Sequence, residues 1–422
     1  MNRKLYFVLL ALSILAFACG VLFYFIKIPL VTGPLMIAGF ALLAISVRGF
    51  EKAKGISYTL WIFTAVTASL FYPATFSEIG GFQMKKLIVP LLQIIMFGMG
   101  SQMSFNDFAG IIKMPKGVII GVLLQFTIMP LVGLTIASVF PFPPEIAAGI
   151  ILIGCVPSGL ASNVMSYLAR ANLALAITIS AVTTLLSPLI TPMLMKWLGG
   201  QFIEVNFWSM MLDILNMIIL PIVAGFIFNL FFKNTENTSN KIVQLAAYLM
   251  ILLGTSLIYM KVKQTGFTGF LKGFLISVIW FYFLPLIAAL IIRHVSGSDN
   301  KWMDKILAFL SMAGIALIVA VITAAGRNSL LEVGALLLLT SLLHNLSGYT
   351  LGYSFAWIFG MPERDRRTIA FEVGMQNGGL ASGLALQMGK VATVGLAPAI
   401  FGPLMNITGS VLANWWRGRS KE

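Results

Sequence analysis

The sequence predicts an all-α polytopic membrane protein with about fourteen transmembrane helices arranged as inverted repeats. Composition supports the membrane class, because 59% of the 422 residues are hydrophobic, 10% are charged and the mean hydropathy is +0.95. A soluble domain carries about 25% charged residues. Long apolar runs follow one another along the chain, and two of them contain the tetrapeptide Gly-Leu-Ala-Ser, at 159–162 and 379–382. The shared tetrapeptide indicates an internal duplication.

The predicted spans follow from the lengths of the apolar runs. A helix crosses the bilayer core with about 20 apolar residues. On that criterion we expect spans at 5–26, 29–47, 57–76, 86–103, 117–139, 145–168, 172–197, 207–232, 242–260, 270–292, 304–325, 330–358, 365–388 and 391–416. An even number of spans places both termini on one side of the membrane.

The charge distribution predicts the orientation. The net charge is +14, but the basic residues are scattered through short connections, so we expect no nucleic-acid partner. Most of them fall on the side that holds both termini, which the positive-inside rule assigns to the cytoplasm. We therefore expect a multi-pass protein of a bacterial inner (plasma) membrane. Cys19 and Cys155 lie in apolar runs and form neither a disulfide framework nor a metal-binding spacing.

Residues 371–383 contain groups that do not belong in lipid. A carboxylate (Glu372), two carboxamides (Gln376 and Asn377) and four glycines interrupt an apolar span. An ionisable side chain at mid-bilayer costs roughly 2.5 to 3.5 kcal/mol on insertion scales, so it usually faces a cavity or a partner. Glycine is a poor helix former, and unwound backbone at this depth can bind cations through free carbonyls. The stretch predicts an ion and substrate site.

A second stretch, 154–165, again places Pro, Gly and polar groups in mid-span. The two Gly-Leu-Ala-Ser copies are 220 residues apart (379 minus 159), close to half of the 422-residue chain. Paired interrupted segments in the two halves indicate the binding site of a secondary transporter. Two units of seven spans would insert with opposite topology, because seven is odd.

Several motifs together resemble the bile acid:sodium symporter family. The resemblance covers roughly 57–232 and 304–416, and its residues are Ile94-Ile95-Met96-Phe97-Gly98-Met99-Gly100, the 154–165 stretch continuing through Tyr167-Leu168-Ala169-Arg170, Leu343-His344-Asn345, and Glu372-Val373-Gly374-Met375-Gln376-Asn377. The resemblance implies two inverted five-helix repeats, each with one broken helix. The two broken helices would cross at the centre of a core domain that packs on a panel domain.

The ten-helix plan of the family implies how the fourteen spans divide. Residues 1–56 would hold two additional helices, and 57–200 the first repeat with its broken helix at 145–168. The second repeat would occupy 201–422, with extra helices at 242–292 and its broken helix at 365–388.

The resemblance also implies two sodium sites that share Glu372. One would use Ser162, Asn163, Ser180 and Glu372. It would lack a hydroxyl ligand, because Ala176 stands where the family usually supplies one. The other would use Gln125, Glu372, Gln376 and the backbone carbonyls of Val373 and Met375. We expect no other metal and no catalytic residue.

The implied substrate is an organic anion, from small keto or hydroxy acids to bile salts. Its pocket would be lined by Ser158, Gly159, His344, Asn345 and Asn377. We therefore expect a sodium-coupled symporter that carries the anion into the cytoplasm. One alternative is a proton-coupled or exchange-type carrier of the same fold, suggested by Ala176. An intramembrane hydrolase is the alternative from a different class, for which no nucleophile and base pair is evident. The oligomeric state is left open.

Overall fold

The computed structural model describes residues 3–50, 54–103, 110–233, 238–264, 266–296 and 301–419. Nearly all of this part is helical. The α-helices are α1 Arg3–Phe25, α2 Pro29–Ser46, α3 Ser57–Phe71, α4 Pro73–Ser77, α5 Ile88–Gly100, α6 Pro115–Val139, α7 Pro144–Cys155, α8 Leu160–Leu168, α9 Leu173–Leu194, α10 Phe207–Ile214, α11 Leu220–Lys233, α12 Thr238–Lys263, α13 Gly266–Val278, α14 Leu284–Ser296, α15 Lys301–Ala325, α16 Arg327–Ile358, α17 Glu363–Gly374, α18 Gly378–Gln387 and α19 Leu396–Arg419.

Short elements complete the fold. Two two-residue strands, β1 Glu78–Ile79 and β2 Phe82–Gln83, pair antiparallel. The 3₁₀ turns are Val47–Gly49, Lys54–Ile56 and Met84–Leu87, and the π-helical turns are Met195–Gly199, Leu215–Ile219 and Ile279–Phe283.

The predicted all-α membrane fold is confirmed. Nine helical segments among the described residues are at least 18 residues long and apolar enough to cross a membrane. The remaining predicted spans coincide with shorter or interrupted helices, such as α3, α5, α7 with α8, and α17 with α18. The repeat boundaries at 57–200 and 201–422 stay predictions.

Two of the π-helical turns end just before prolines, at Pro221 and Pro285. Proline has no N–H to donate, and its ring crowds the carbonyl four residues earlier. One extra residue in the preceding turn lets the helix continue past the proline. The segments α10 to α11 and α13 to α14 are therefore each one span with a widened turn.

The helices pack into two groups. The core consists of α6 to α9 and α16 to α19, which pack on one another around α6 and the two interrupted helices. The panel consists of α3, α5, α10, α11 and α15. Within the panel, α5 and α11 approach so closely that a Cβ added at Gly100 would lie 2.0 Å from the carbonyl oxygen of Ile222, and one at Gly225 would lie 2.1 Å from that of Phe97. Only glycine fits at these two positions.

The additional helices attach to the panel. The pair α1 and α2 packs through α2 on α3, and α14 packs on α11. Only 17% of the apolar window in Lys4–Phe25, and 17% of that in Gly266–His294, is buried inside the molecule. These helices therefore have most of their apolar surface available to lipid.

Candidate functional site

Both interrupted helices break where the sequence removes helical hydrogen bonds. The first breaks between Cys155 and Leu160, where Pro157 cannot donate an N–H to the preceding turn. The second breaks between Gly374 and Gly378, and Met375 there is extended (φ −112°, ψ 107°). Both predicted interruptions are therefore present. Each break is a short extended segment, and the helix ends on both sides of it have backbone groups without intrahelical partners.

Backbone hydrogen bonds join the two breaks. The N–H of Gly159 donates to the carbonyl of Met375 at 3.0 Å, and the N–H of Asn377 donates to the carbonyl of Pro157 at 2.9 Å. Ser158 and Gln376 thus form an antiparallel bridge at the crossing. A Cβ at Gly159 would lie 2.8 Å from the carbonyl oxygen of Gln376, so the close approach requires glycine. The predicted meeting of the two segments is confirmed as a direct backbone contact.

Glu372 lies at this crossing and is completely buried. Three serine hydroxyls donate to its carboxylate. Ser158 and Ser180 donate to Oε2 at 2.6 Å and 2.8 Å, and Ser162 donates to Oε1 at 2.6 Å. None of the three ion pairs among the described residues includes Glu372. The carboxylate is therefore solvated by hydroxyls and has no cationic side chain as a partner.

A pair of buried carboxamides lies beside it. Gln125 Nε2 donates to Gln376 Oε1 at 2.8 Å and to the carbonyl of Val156 at 3.1 Å, while Gln376 Nε2 donates to the carbonyl of Val373 at 2.7 Å. Gln125 Oε1 is buried, and no donor among the described residues bonds it. An unpaired buried acceptor is costly. The crossing therefore holds one oxygen that is free to bind a cation.

The predicted ligands on α8 and α9 come together around the same carboxylate. Ser180 Oγ lies 3.4 Å from Asn163 Oδ1 and 3.1 Å from Ser158 Oγ. Ala176 is fully buried and lies one turn before Ser180, so it is on the same face of α9. That face carries a methyl group where the resemblance implies that the family usually supplies a hydroxyl.

The five predicted substrate residues fall into two environments. Gly159 and Asn377 are the N-cap residues of α8 and α18, and Asn377 Oδ1 accepts the N–H of Leu380 at 3.0 Å. The side chains of Ser158, His344 and Asn345 are at least 98% buried. Ser158 donates to Glu372, and its predicted contact with substrate stays a prediction.

His344 and Asn345 reach the crossing from α16. His344 Nε2 lies 2.9 Å from the carbonyl oxygen of Met129, and its ring contacts Phe401 with centroids 5.5 Å apart. Asn345 Nδ2 donates to the carbonyl of Gly374 at 2.8 Å, so it binds the end of α17. Both side chains buttress the crossing, and their predicted contact with substrate stays a prediction.

Sequence reasoning missed two residues that support this site. Thr408 donates to Asn345 Oδ1 at 2.5 Å, and Tyr349 donates to the carbonyl of Met405 at 3.1 Å. Thr408 therefore orients Asn345, which bonds the end of α17, and Tyr349 joins α16 to α19. A lone Thr or Tyr in an apolar span carries no signal of such a role, because similar residues occur throughout these helices.

The helix ends at the crossing carry partial charges of opposite sign. The C-terminal ends of α7 and α17 bring carbonyl groups and partial negative charge, and the N-terminal ends of α8 and α18 bring N–H groups and partial positive charge. One centre can therefore attract a cation at one pair of ends and an anion at the other. Across the described residues, no group of three or more His, Cys, Asp or Glu side chains could hold a metal ion.

Sequence comparisons show that the chain is similar to sodium-dependent transporters. The model of the sodium bile acid symporter family matches residues 89–268. The chain is 32% identical to the uncharacterized sodium-dependent transporter YocS of Bacillus subtilis, over 89% of this chain and 95% of that protein. It is 27% identical to a probable chloroplastic sodium/metabolite cotransporter of Arabidopsis thaliana, over 87% of this chain and 74% of that protein. A sodium proton antiporter of Methanocaldococcus jannaschii aligns in structure over 93% of this chain and 99% of its own, with 12% identity and a TM-score of 0.49.

Proposed function

The chain belongs to the sodium bile acid symporter family, a family of membrane transporters, and on that premise we propose that it couples sodium entry to the uptake of an organic anion. The observation that carries the proposal is Glu372. Its carboxylate is fully buried at the crossing of two broken helices, and three serine hydroxyls surround it.

Sodium offsets the cost of burying this charge. An unpaired carboxylate in a low-dielectric interior is strongly unfavourable, and a bound cation balances it. Each serine hydroxyl has one proton and two lone pairs. A hydroxyl that donates its proton to Glu372 keeps its lone pairs for a cation beside the carboxylate. Ser162, Ser180 and Asn163 would supply the first site in this way.

The second sodium would bind beside the carboxamide pair. Gln125 Oε1 is a buried acceptor without a donor among the described residues, which supports a cation at this position. Gln376, Glu372 and the carbonyls of Val373 and Met375 would complete the site. Because both ions would share Glu372, their binding would be coupled, and linkage requires that each ion change the affinity for the other by the same factor.

The substrate would bind where α8 and α18 begin. Gly159 and Asn377 are the N-cap residues there, and two helix N-termini favour a carboxylate or another anion. Ser158, His344 and Asn345 would hold this position in place. The chain would release sodium and substrate into the cytoplasm by displacing the core relative to the panel. It would lie in a bacterial inner membrane with both termini cytoplasmic.

Two measurements on purified protein test the proposal. We expect NaCl to raise the thermal unfolding midpoint above its value in KCl at equal ionic strength, and Glu372→Gln to abolish the difference. Glu145→Gln is the matched control, because Glu145 is a half-exposed core carboxylate that bonds Lys390 and Thr393, away from the crossing.

Uptake then identifies the coupled ion and the substrate. Keto acids, hydroxy acids and bile salts that stabilise the protein only in sodium are tested for accumulation in proteoliposomes under a sodium or a pH gradient. Accumulation that follows the pH gradient and ignores sodium overturns sodium coupling. That outcome favours the alternative, a proton-coupled or exchange-type carrier, which the methyl group of Ala176 supports because it removes one hydroxyl from the first site.

A further inference from the structure

We propose that the core binds the phosphate group of an anionic phospholipid at the end that we assign to the cytoplasm. A cavity of about 840 Å³ lies where α8 ends and α17 begins. Its charged lining consists of Arg170, Arg364, Arg367, Arg419 and Glu363. Arginine recognises phosphate through two parallel N–H groups, so this lining suits a phosphate oxyanion. The inference is independent of which substrate the crossing carries.

Three of these arginines are available to a ligand. Arg367 is only 8% exposed, and its guanidinium donates to Glu363 Oε1 at 2.8 Å and lies over the ring of Trp416. Arg367 and Glu363 therefore balance each other. Arg170, Arg364 and Arg419 are exposed, and none of them joins an ion pair within the described ranges. The cavity therefore carries a net positive charge of three.

The backbone of Arg170 indicates that its side chain is used. Arg170 adopts a left-handed conformation (φ 53°) at the end of α8, a position at which glycine is favoured. The other interrupted helix ends with the same pair of turns, but Gly389 (φ 71°) occupies the equivalent position. Strain of this kind persists mainly at functional sites. Retaining arginine here, where glycine would relieve the strain, argues for a role of the guanidinium.

The wall of the cavity is rigid. Asn172 follows Arg170 closely and donates its Nδ2–H to Asp365 Oδ1 at 2.8 Å, while its backbone N–H donates to Thr368 Oγ1 at 2.9 Å. These bonds fasten the loop after α8 to the first turns of α17. They also occupy the carboxylate of Asp365, which lies near the cavity on α17, within the protein. The loop that follows Arg170 is thus joined to the first turns of α17, which carry Arg364.

The surroundings favour a lipid over a soluble anion. Tyr167 lines the cavity and is 68% exposed, and Trp415 is 48% exposed with the Arg419 guanidinium 4.2 Å above its ring. Exposed Tyr and Trp mark the headgroup level of a membrane. Basic pockets between helices on the cytoplasmic side bind anionic headgroups.

Thermal unfolding with defined lipids tests the proposal. The full-length protein is compared in micelles containing short-chain phosphatidylglycerol or phosphatidylcholine, and in inorganic phosphate at constant ionic strength. We expect phosphatidylglycerol to raise the unfolding midpoint by several degrees, and phosphatidylcholine and phosphate to have little effect. Arg170→Gly and Arg364→Ala should each lose at least half of this shift.

Two control variants make the result of this test decisive. Arg170→Gly relieves backbone strain, so its midpoint without lipid should equal or exceed that of the wild type, which separates lost binding from lost folding. Lys86→Ala removes an exposed charge that does not line the cavity and should keep the full shift. Equal stabilisation by inorganic phosphate would overturn a lipid ligand. An undiminished phosphatidylglycerol shift in both arginine variants would overturn the site.

Discussion

Gly159 donates its backbone N–H to the carbonyl of Met375, and this 3.0 Å bond joins the broken segments of two helices that are more than 200 residues apart in sequence (375 minus 159 is 216). Glu372 and the serine side chains that bind it lie on opposite sides of this backbone contact. Ser158 lies in the first segment and Ser162 follows it in α8, while Glu372 lies in the last turn of α17, just before the second segment. The site therefore exists only while this backbone contact holds.

Gly159→Ala should open the crossing. The new Cβ would lie 2.8 Å from the carbonyl oxygen of Gln376, which is backbone and cannot move aside as a flexible side chain can. Overpacking of this kind costs typically 1 to 3 kcal/mol, about the scale we expect for the loss of stability. We expect a lower unfolding midpoint and a weaker response to sodium. Gly402→Ala, at which an added Cβ meets no atom within 4 Å, should change neither.

Ala176→Ser should strengthen the first sodium site. The substitution adds a hydroxyl on the face of α9 that carries Ser180, one turn away. The sodium concentration that gives half of the thermal stabilisation should fall severalfold, because a further oxygen ligand becomes available. Ala181→Ser adds the same hydroxyl at a buried position next to Ser180 but on another face. The idea fails if both variants titrate with sodium like the wild type.

Asn377→Ala should affect binding beyond its effect on stability. Asn377 caps α18 by accepting the N–H of Leu380, and loss of an N-cap costs about 0.5 to 2 kcal/mol. Asn206 caps α10 in the same way, so Asn206→Ala controls for the lost cap. We expect similar drops in the unfolding midpoint for the two variants, but weaker substrate binding only for Asn377→Ala. Equal substrate affinity in both would exclude Asn377 from the pocket.

The ion pair of Glu145 and Lys390 should contribute little. Their side chains are 37% and 35% exposed, so water and salt screen the attraction, and exposed pairs contribute about 0 to 1 kcal/mol. Lys390→Gln should lower the unfolding midpoint slightly at low salt and not at all at high salt. Arg367→Gln should cost more at either salt, because Arg367 is buried and also donates to the carbonyls of Ala169 and Trp416. A larger loss for Lys390→Gln would contradict this ranking.

Apolar length and misplaced polar groups were enough to locate the spans and both breaks. Glycine, proline and Glu372 mark the interruptions because each is unfavourable in a lipid-facing helix. The π-helical turns before Pro221 and Pro285 cannot be predicted from proline alone, because Pro130 and Pro403 lie inside α-helices without such a turn. The predicted spans therefore agree with the helices to within a few residues at most ends.

The sequence alone does not predict which hydrogen bonds the site residues form. Ser158 is a predicted substrate residue, and its hydroxyl donates to Glu372, a bond that the sequence does not predict. His344 is likewise a predicted pocket residue, and its Nε2 atom lies 2.9 Å from the carbonyl oxygen of Met129 while its ring contacts Phe401. Such orientations depend on how two distant segments align, which spacing within one segment does not contain.

The attachment of the additional helices has a mechanical consequence. The pair α1 and α2 reaches the rest of the molecule through α3, and α14 reaches it through α11, so this extra mass belongs to the panel. Viscous resistance in a bilayer grows with the area dragged through it. We therefore expect the panel to remain nearly stationary during transport, while the smaller core, which carries Glu372, undergoes most of the displacement.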